Sequence, residues 1–283
     1  MFNKMTWQKQ LATQMSLALA GLFVLLPLLW LGRMAFDGSL HESRPQDASL
    51  WPKVWSMANF DQAWNRPITG FSFLNLLSNS LIVAASTTII ALLCGMTAGY
   101  AIARFRFAGR KFGLFATLVL ITLPPAGLSA PFFIFFNDLK IRDSLLSLII
   151  VYSVIAVPFA IWTVRNAVQT VPIELEEAAT LEGGNGLVVF RWITLPLIAP
   201  TLAVAGFIAF TLAWSEFALA WVFISNPNNE TLAMALFNMR GQNGIAWGTL
   251  SAMTILVALP VVILFYALGR YVITGLSLGT IKE

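Results

Sequence analysis

Residues that could carry covalent chemistry are sparse in this chain of 283 residues. The one histidine, His41, and the one cysteine, Cys94, lie in different segments. A zinc site needs several Cys, His or carboxylate ligands together, so no metal site is expected. Cys94 stands in an apolar run, where a small buried thiol is the ordinary role, and a single cysteine rules out a disulfide within the chain. No G-x-x-x-x-G-K-[ST] segment is present to cradle phosphates. The cluster Gly183-Gly-Asn-Gly186 has no following Lys-Ser/Thr and does not follow a strand. The chain is therefore expected to bind no cofactor of its own. What remains is acidic: Glu216, alone in a long apolar stretch, and Glu174, Glu176, Glu177 and Glu182 in one short polar segment. With no cluster of His, Cys or carboxylates in the apolar stretches, an enzyme is disfavoured and no covalent chemistry is expected.

The elements that hold these residues are set by composition. Hydrophobic residues make up 58% and charged residues 11%, against roughly 25% charged in soluble domains, so lipid must cover much of the surface. The net charge of +4 is scattered beside apolar stretches, and nucleic acid is not an expected partner. Stretches free of Asp, Glu, Lys and Arg run 10–32, 67–103, 112–137, 144–164, 192–229 (broken only by Glu216) and 241–269. Each is long enough to cross a hydrocarbon core, which takes about 20 residues. Helices satisfy their own backbone in lipid, and the alternation of barrel strands is absent. The expected fold class is all-α: one polytopic domain over 1–283 with six transmembrane helices, at about 11–34, 72–103, 112–136, 144–166, 197–224 and 247–272. Ala18-Leu19-Ala20 looks like a signal cleavage site, but the apolar run continues to Leu31. That exceeds the about 7–15 residues of a cleavable core, so the first span is expected to be retained.

Basic residues orient the spans. With the N-terminus inside, the cytoplasmic side holds Lys4, Lys9, Arg104, Arg106, Arg110, Lys111, Arg165, Arg191, Arg270 and Lys282. The outer side holds Arg33, Arg44, Lys53, Arg66, Lys140, Arg142 and Arg240. The crowding of four basic residues into 104–111, between two membrane ends, decides for both termini in the cytoplasm. Three connections are long: an outer segment 33–71, a cytoplasmic loop within 165–196, and an outer loop 225–246 with a short apolar stretch from Thr231 to Met239.

The cytoplasmic loop, 170–192, has its own physics. Pro172 suits a helix start. Glu174, Glu176 and Glu177 sit in the first turns, favoured by the helix dipole. Leu175, Ala178, Ala179 and Glu182 share a face by helical spacing, with two alanines that let another surface approach. Gly183 and Gly184 end or bend the helix. A second short helix, about Leu187 to Trp192, then leads to Pro196. Amphipathic helices that lie on headgroups are usually rich in Lys and Arg; an acidic helix with a small-residue face suits a protein socket.

The spacing of Glu177-Ala178-Ala179, Gly183, Ile193 and Leu195-Pro196 resembles the coupling-loop signature of permease subunits in binding-protein-dependent ABC importers. The resemblance implies a type I ABC importer permease fold in a bacterial cytoplasmic (inner) membrane, and a loop that docks into a cytoplasmic ATPase. It also implies partners: a homologous second permease, a dimer of ATPase subunits that binds the ATP and Mg, and an extracytoplasmic binding protein. Tyr100-Ala-Ile-Ala-Arg104-Phe-Arg106-Phe-Ala-Gly109-Arg110 resembles the end of the second span in carbohydrate permeases of the maltose-transporter type. Trp214-Ser215-Glu216-Phe217 is similar to their Trp-Asn-Glu-Phe segment, with Ser215 in place of Asn. Gly275 to Lys282 resembles the tail of the smaller, six-helix permease of that transporter, which implies ATPase contacts for Gly279 and Lys282. The likeness covers roughly 10–283. By position, Thr231, Leu232, Asn238, Gln242 and Asn243 match a loop that reaches into the binding protein; an ordinary polar loop with a short interfacial helix is the alternative.

Other residues carry weaker expectations. Glu216 is costly in lipid and should face the bundle interior or a water-filled cavity. It lines the pathway with Trp214 and Ser215, sets a helix bend, or makes a purely structural hydrogen bond; a proton relay lacks a second buried charge. Pro124-Pro125 should break the third span, and broken helices often line transport sites; a packing kink is the alternative. Gly95 and Gly99 form a G-x-x-x-G pattern for close helix packing, possible with a partner permease. The implied function is ATP-driven sugar import. The rivals are a permease of the same superfamily for a polyamine or glycerol phosphate, which would want more charge in the spans, and a proton-coupled carrier.

Overall fold

A computed structural model describes residues 6–40, 49–65, 72–239 and 246–277. The expectations for His41, Gln242, Asn243, Gly279 and Lys282 lie outside the described residues.

Among the described residues, twelve α-helices follow the apolar stretches and the punctuation between them: α1 Trp7–Phe36, α2 Ala58–Asn65, α3 Phe73–Arg104, α4 Arg110–Thr122, α5 Ser129–Asp138, α6 Leu145–Thr170, α7 Ile173–Leu181, α8 Gly186–Val189, α9 Leu195–Ser215, α10 Ala218–Phe223, α11 Leu232–Asn238 and α12 Trp247–Ser277. Among the same residues, five stretches are long and apolar enough to cross a membrane: Trp7–Phe36, Phe73–Arg104, Leu145–Thr170, Gly186–Ser215 and Trp247–Gly269. The third expected span is not one rod. Helix α4 and the segment Pro125–Asp138 meet at 103°, so they count as a sixth span only as a broken pair. Leu123 and Pro124 are extended there, because a residue before proline is driven from helical geometry and proline supplies no N–H.

The chain forms two compact units. The first holds the residues up to Phe73 and Asn238–Ala258. None of the apolar window of α1 is buried, and its hydrophobic side chains point outward all round, as lipid or a partner would require. Just past the helix, Asp37 gathers the segment that follows it. Its carboxylate accepts from the amides of Lys53 (3.0 Å) and Ser39 (3.0 Å) and from the Ser39 hydroxyl (2.6 Å), with Arg33 at 3.9 Å. Asn59 of α2 is fully buried and donates to the carbonyls of Ala35 (3.1 Å) and Asp37 (3.0 Å).

The second unit holds Leu74–Phe237 and the chain from Leu259 onward. Its centre is a seam of small residues, Ala91, Ala156, Ala160 and Ala209, where α3, α6 and α9 meet. The G-x-x-x-G pattern serves this seam. A Cβ on Gly95 would stand 2.8 Å from the Ala160 Cβ, and one on Gly99 3.0 Å from the Val164 Cβ. The contact is with α6 of the same chain, which corrects the suggestion of a partner permease at this point.

Candidate functional site

The 170–192 loop is built as a helix, a bend and a second helix run into α9. Pro172 stands one position before α7 rather than at its first residue. At the other end, the Gly183 amide donates to the Thr180 carbonyl (3.0 Å) and the Gly184 amide to the Ala179 carbonyl (2.9 Å). These are the two hydrogen bonds of a Schellman cap. It requires Gly183 at φ +93°, open to glycine without strain. A Cβ on Gly184 would lie 2.8 Å from the Ala179 oxygen. Asn185 then starts α8, its side chain accepting from the Val188 amide at 3.0 Å. The second helix is not the separate piece expected at Leu187 to Trp192. It starts at Gly186 and passes through a π-helical turn, Phe190–Thr194, into α9. Pro196 falls in the first turn of α9, directly after the π turn. Ile193 is half-buried in the π turn, and Leu195 opens α9.

Of the four acidic residues in the loop, one faces inward. Glu176 is buried, while Glu174, Glu177 and Glu182 are exposed. Its Oε1 accepts from the Thr194 hydroxyl at 2.7 Å, and its Oε2 from the Tyr100 hydroxyl at 3.4 Å. Arg104 Nε stands 3.0 Å from Oε2; its N–H is not aimed at that oxygen, so the contact is an ion pair rather than an aligned hydrogen bond. The Arg104 guanidinium also donates to the Val171 carbonyl at 2.8 Å, at the end of α6. Beneath lies an apolar cluster of Val164, Ala167, Val168, Val171 and Ile198. The outward face is apolar as well as acidic. Leu181 is 89%, Leu187 75% and Trp192 70% exposed. Ala178 is exposed, and Ala179 is half-buried. Nothing local to the sequence distinguishes Glu176 from Glu174 or Glu177.

Glu216 lies where α9 stops, not inside a continuous helix. Its carboxylate accepts from the Leu219 amide (3.0 and 3.1 Å) and the Ala220 amide (3.4 Å), at the start of α10. The Tyr152 hydroxyl of α6 donates to Oε2 at 2.7 Å. One side chain thus caps a helix start, a role suited to a carboxylate, and ties the break to a neighbouring helix. Trp214 is buried and stacked on Phe210 at 5.4 Å. Ser215 is exposed, its hydroxyl donating to the Thr211 carbonyl. Pro125 lines a cavity of about 220 Å³ between α4, α6 and α9, whose lining side chains are all apolar. Pro124 forms the bend itself; its carbonyl accepts from the Gly127 amide at 2.9 Å.

Between α5 and α6, Asp143 takes a positive φ of 68° and accepts from the amides of Ser225 (2.7 Å) and Asn226 (2.6 Å). Asn79 donates to the carbonyls of Asn228 and Glu230. The Ser80 hydroxyl accepts from the Leu232 amide. Thr231 and Leu232 are buried under these contacts, while Asn238 is partly exposed.

Comparison with known proteins adds the family. Residues 91–277 match the family described as "Binding-protein-dependent transport system inner membrane component". The chain is 32% identical over 256 residues to the probable ABC transporter permease protein YurM of Bacillus subtilis, covering 90% of this chain and 83% of that protein. It is 28% identical over 276 residues to the maltodextrin transport system permease protein MdxG of the same organism, with 96% of each covered. The fold is similar to a chain from the crystal structure of a bacterial ABC transporter involved in the import of the acidic polysaccharide alginate. The TM-score is 0.76 at 17% identity, covering 96% of this chain and 99% of that one. The chain belongs to the family of inner membrane components of binding-protein-dependent transport systems.

Proposed function

We propose that this chain is one permease subunit of an ATP-driven sugar importer. It pairs with a homologous permease, two cytoplasmic ATPase subunits that bind ATP and Mg, and an extracytoplasmic binding protein that delivers the sugar. Both termini lie in the cytoplasm. The observation that carries this reading is the 170–192 loop. It exposes an apolar and acidic face, with Leu181, Leu187 and Trp192 largely bare, on a helix–bend–helix frame fixed to the membrane helices from behind. Apolar side chains presented on a rigid polar-rimmed helix suit a protein socket. The similarity to a maltodextrin permease supports a sugar as cargo.

In this mechanism, ATP closes the ATPase dimer, the loop follows, and the helices pass from inward-open to outward-open; hydrolysis resets them. Gly279 and Lys282 are assigned to the ATPase. Thr231, Leu232, Asn238, Gln242 and Asn243 are assigned to the binding protein, with Thr231 and Leu232 shaping the loop from within. Glu216, Trp214, Ser215, Pro124 and Pro125 are assigned to the wall and hinges of the pathway.

The test is ATP hydrolysis by the complex purified through a tag on this chain, with and without binding protein and candidate sugars. A parallel preparation carries Gly183→Pro, which forbids φ +93° and deletes the amide bonded to Thr180. Co-purification of an ATPase, stimulation by one sugar-loaded binding protein and loss of that stimulation in the variant support the reading. Solute carried by the chain alone down a proton gradient refutes it.

A further inference from the structure

A loop that transmits force must be stiff where it meets the helices it moves, and the Glu176 contacts supply one such place. The carboxylate, carried by α7, is reached from two directions: Tyr100 and Arg104 come from the end of α3, and Thr194 from the π turn before α9. Tyr100 and Arg104 are four positions apart, so they lie above one another on the same helix face. Arg104 is the last residue of α3 and also holds the carbonyl of Val171 that ends α6. Its positive charge sits at a helix C-terminus, where it is favoured. Behind them Tyr100 packs edge-on against Phe190 at 4.9 Å. The Arg104 and Glu176 side chains are 11% and 10% exposed. A charge pair this shielded keeps its strength, where a solvated one would be screened. The outward side chains of α7, such as Leu181, are directed elsewhere. Glu176 therefore does not belong to the docking face; it fixes that face to the membrane helices.

We infer that the Arg104–Glu176 pair is the joint of the transporter stroke. Movement imposed on α7 from the cytoplasm is delivered to the inner end of α3 as a rigid-body displacement, and without the pair it is absorbed by flexing of the loop. Arg104 and Glu176 are positioning residues: they act through the helices they join and touch neither sugar nor ATP. The inference rests on the importer reading above, because it needs a stroke to transmit.

The readout is the number of sugars carried per ATP hydrolysed, measured in proteoliposomes with the full complex and its binding protein. Glu176→Gln keeps the shape and one acceptor oxygen, which can accept from Thr194 or from Tyr100 but not from both, and removes the charge. Arg104→Lys keeps the charge but loses the fork that reaches both Glu176 and Val171. Both variants are expected to lower sugar per ATP by roughly tenfold, within the range typical of coupling between sites. Glu176→Asp, which keeps the charge, should recover part of the loss. A merely structural role lowers transport and hydrolysis together and leaves their ratio alone. A wild-type ratio in both variants overturns the joint, and so does failure of both to retain the ATPase subunits, which would mark a folding role. A wild-type complex with no sugar-stimulated hydrolysis overturns the importer reading itself and the joint with it, so the two failures are told apart by the control.

Discussion

The two glycines that end α7 are alike in sequence but are needed for different reasons, and substitution separates them. A Cβ on Gly183 would have nothing within 4 Å, but the residue holds φ +93°. The cost of a side chain there is purely backbone, roughly 1–2 kcal/mol for an L-residue held left-handed, and less for Asn, which tolerates that region. At Gly184 the backbone is ordinary but the space is closed. A Cβ would lie 2.8 Å from the Ala179 oxygen, the same atom that accepts the Gly184 amide at 2.9 Å. Alanine there must loosen that hydrogen bond, about 1 kcal/mol, and displace backbone, an overpacking cost of about 1–3 kcal/mol. A loss of one to two kcal/mol multiplies the unravelled fraction of the bend about 5- to 30-fold. Hydrogen exchange at the Gly184 and Val188 amides, in the complex in a lipid bilayer, reads that fraction directly. Sugar-stimulated ATP hydrolysis reads its consequence. The expected order of damage is Gly183→Asn least, Gly183→Ala next, and Gly183→Val and Gly184→Ala most. If Gly184→Ala exchanges no faster than Gly183→Asn, the assignment of a steric role to one glycine and a conformational role to the other is wrong.

Gly95→Leu should wedge α3 from α6, because even a Cβ meets Ala160 at 2.8 Å. The midpoint of thermal unfolding of the purified chain should fall by an amount corresponding to about 1–3 kcal/mol or more, whereas Gly21→Leu, with nothing within 4 Å, should leave it in place. Tyr152→Phe removes the hydroxyl that donates to Glu216 at 2.7 Å and should cost about 1.5–3 kcal/mol, the worth of one hydrogen bond to a charged group; an unchanged unfolding midpoint refutes the tie between α6 and the α9–α10 break. Burial pushes the Asp37 carboxyl up, but the Ser39 hydroxyl and the amides of Lys53, Ser39 and Val54 together hold it below its ordinary value of 3.8. A carboxyl lowered by folding stabilises the fold above its unfolded value and loses that contribution as pH falls through the lower folded one. The Lys53 and Val54 amides should thus gain exchange only below about pH 3.8, and Asp37→Asn should abolish that pH step.

Short-range physics in the chain was enough for much of this architecture. Apolar length alone places α1, α3, α6, α9 and α12, because the hydrocarbon core demands about 20 residues of helix whatever surrounds them. Pro172, Gly183 and Gly184 mark α7 because each restricts or frees its own backbone. Pro124-Pro125 marks the broken span for the same reason, although the angle of 103° is set by what the two arms pack against. Tertiary structure decided the rest. Gly95 and Gly99 advertise a close contact, but that the contact is with Ala160 and Val164 of the same chain depends on how α6 returns. Glu174, Glu176 and Glu177 are equivalent by local rules. Only the arrival of Tyr100, 76 positions away in the chain, with Arg104 and Thr194, makes Glu176 the one that is buried. Glu216 announces itself as a charge in an apolar stretch, but its hold on Tyr152, 64 positions back, does not. A carboxylate can be buried only where other parts of the chain bring donors to it, and which donors arrive is a property of the packed helices rather than of the segment that carries the charge.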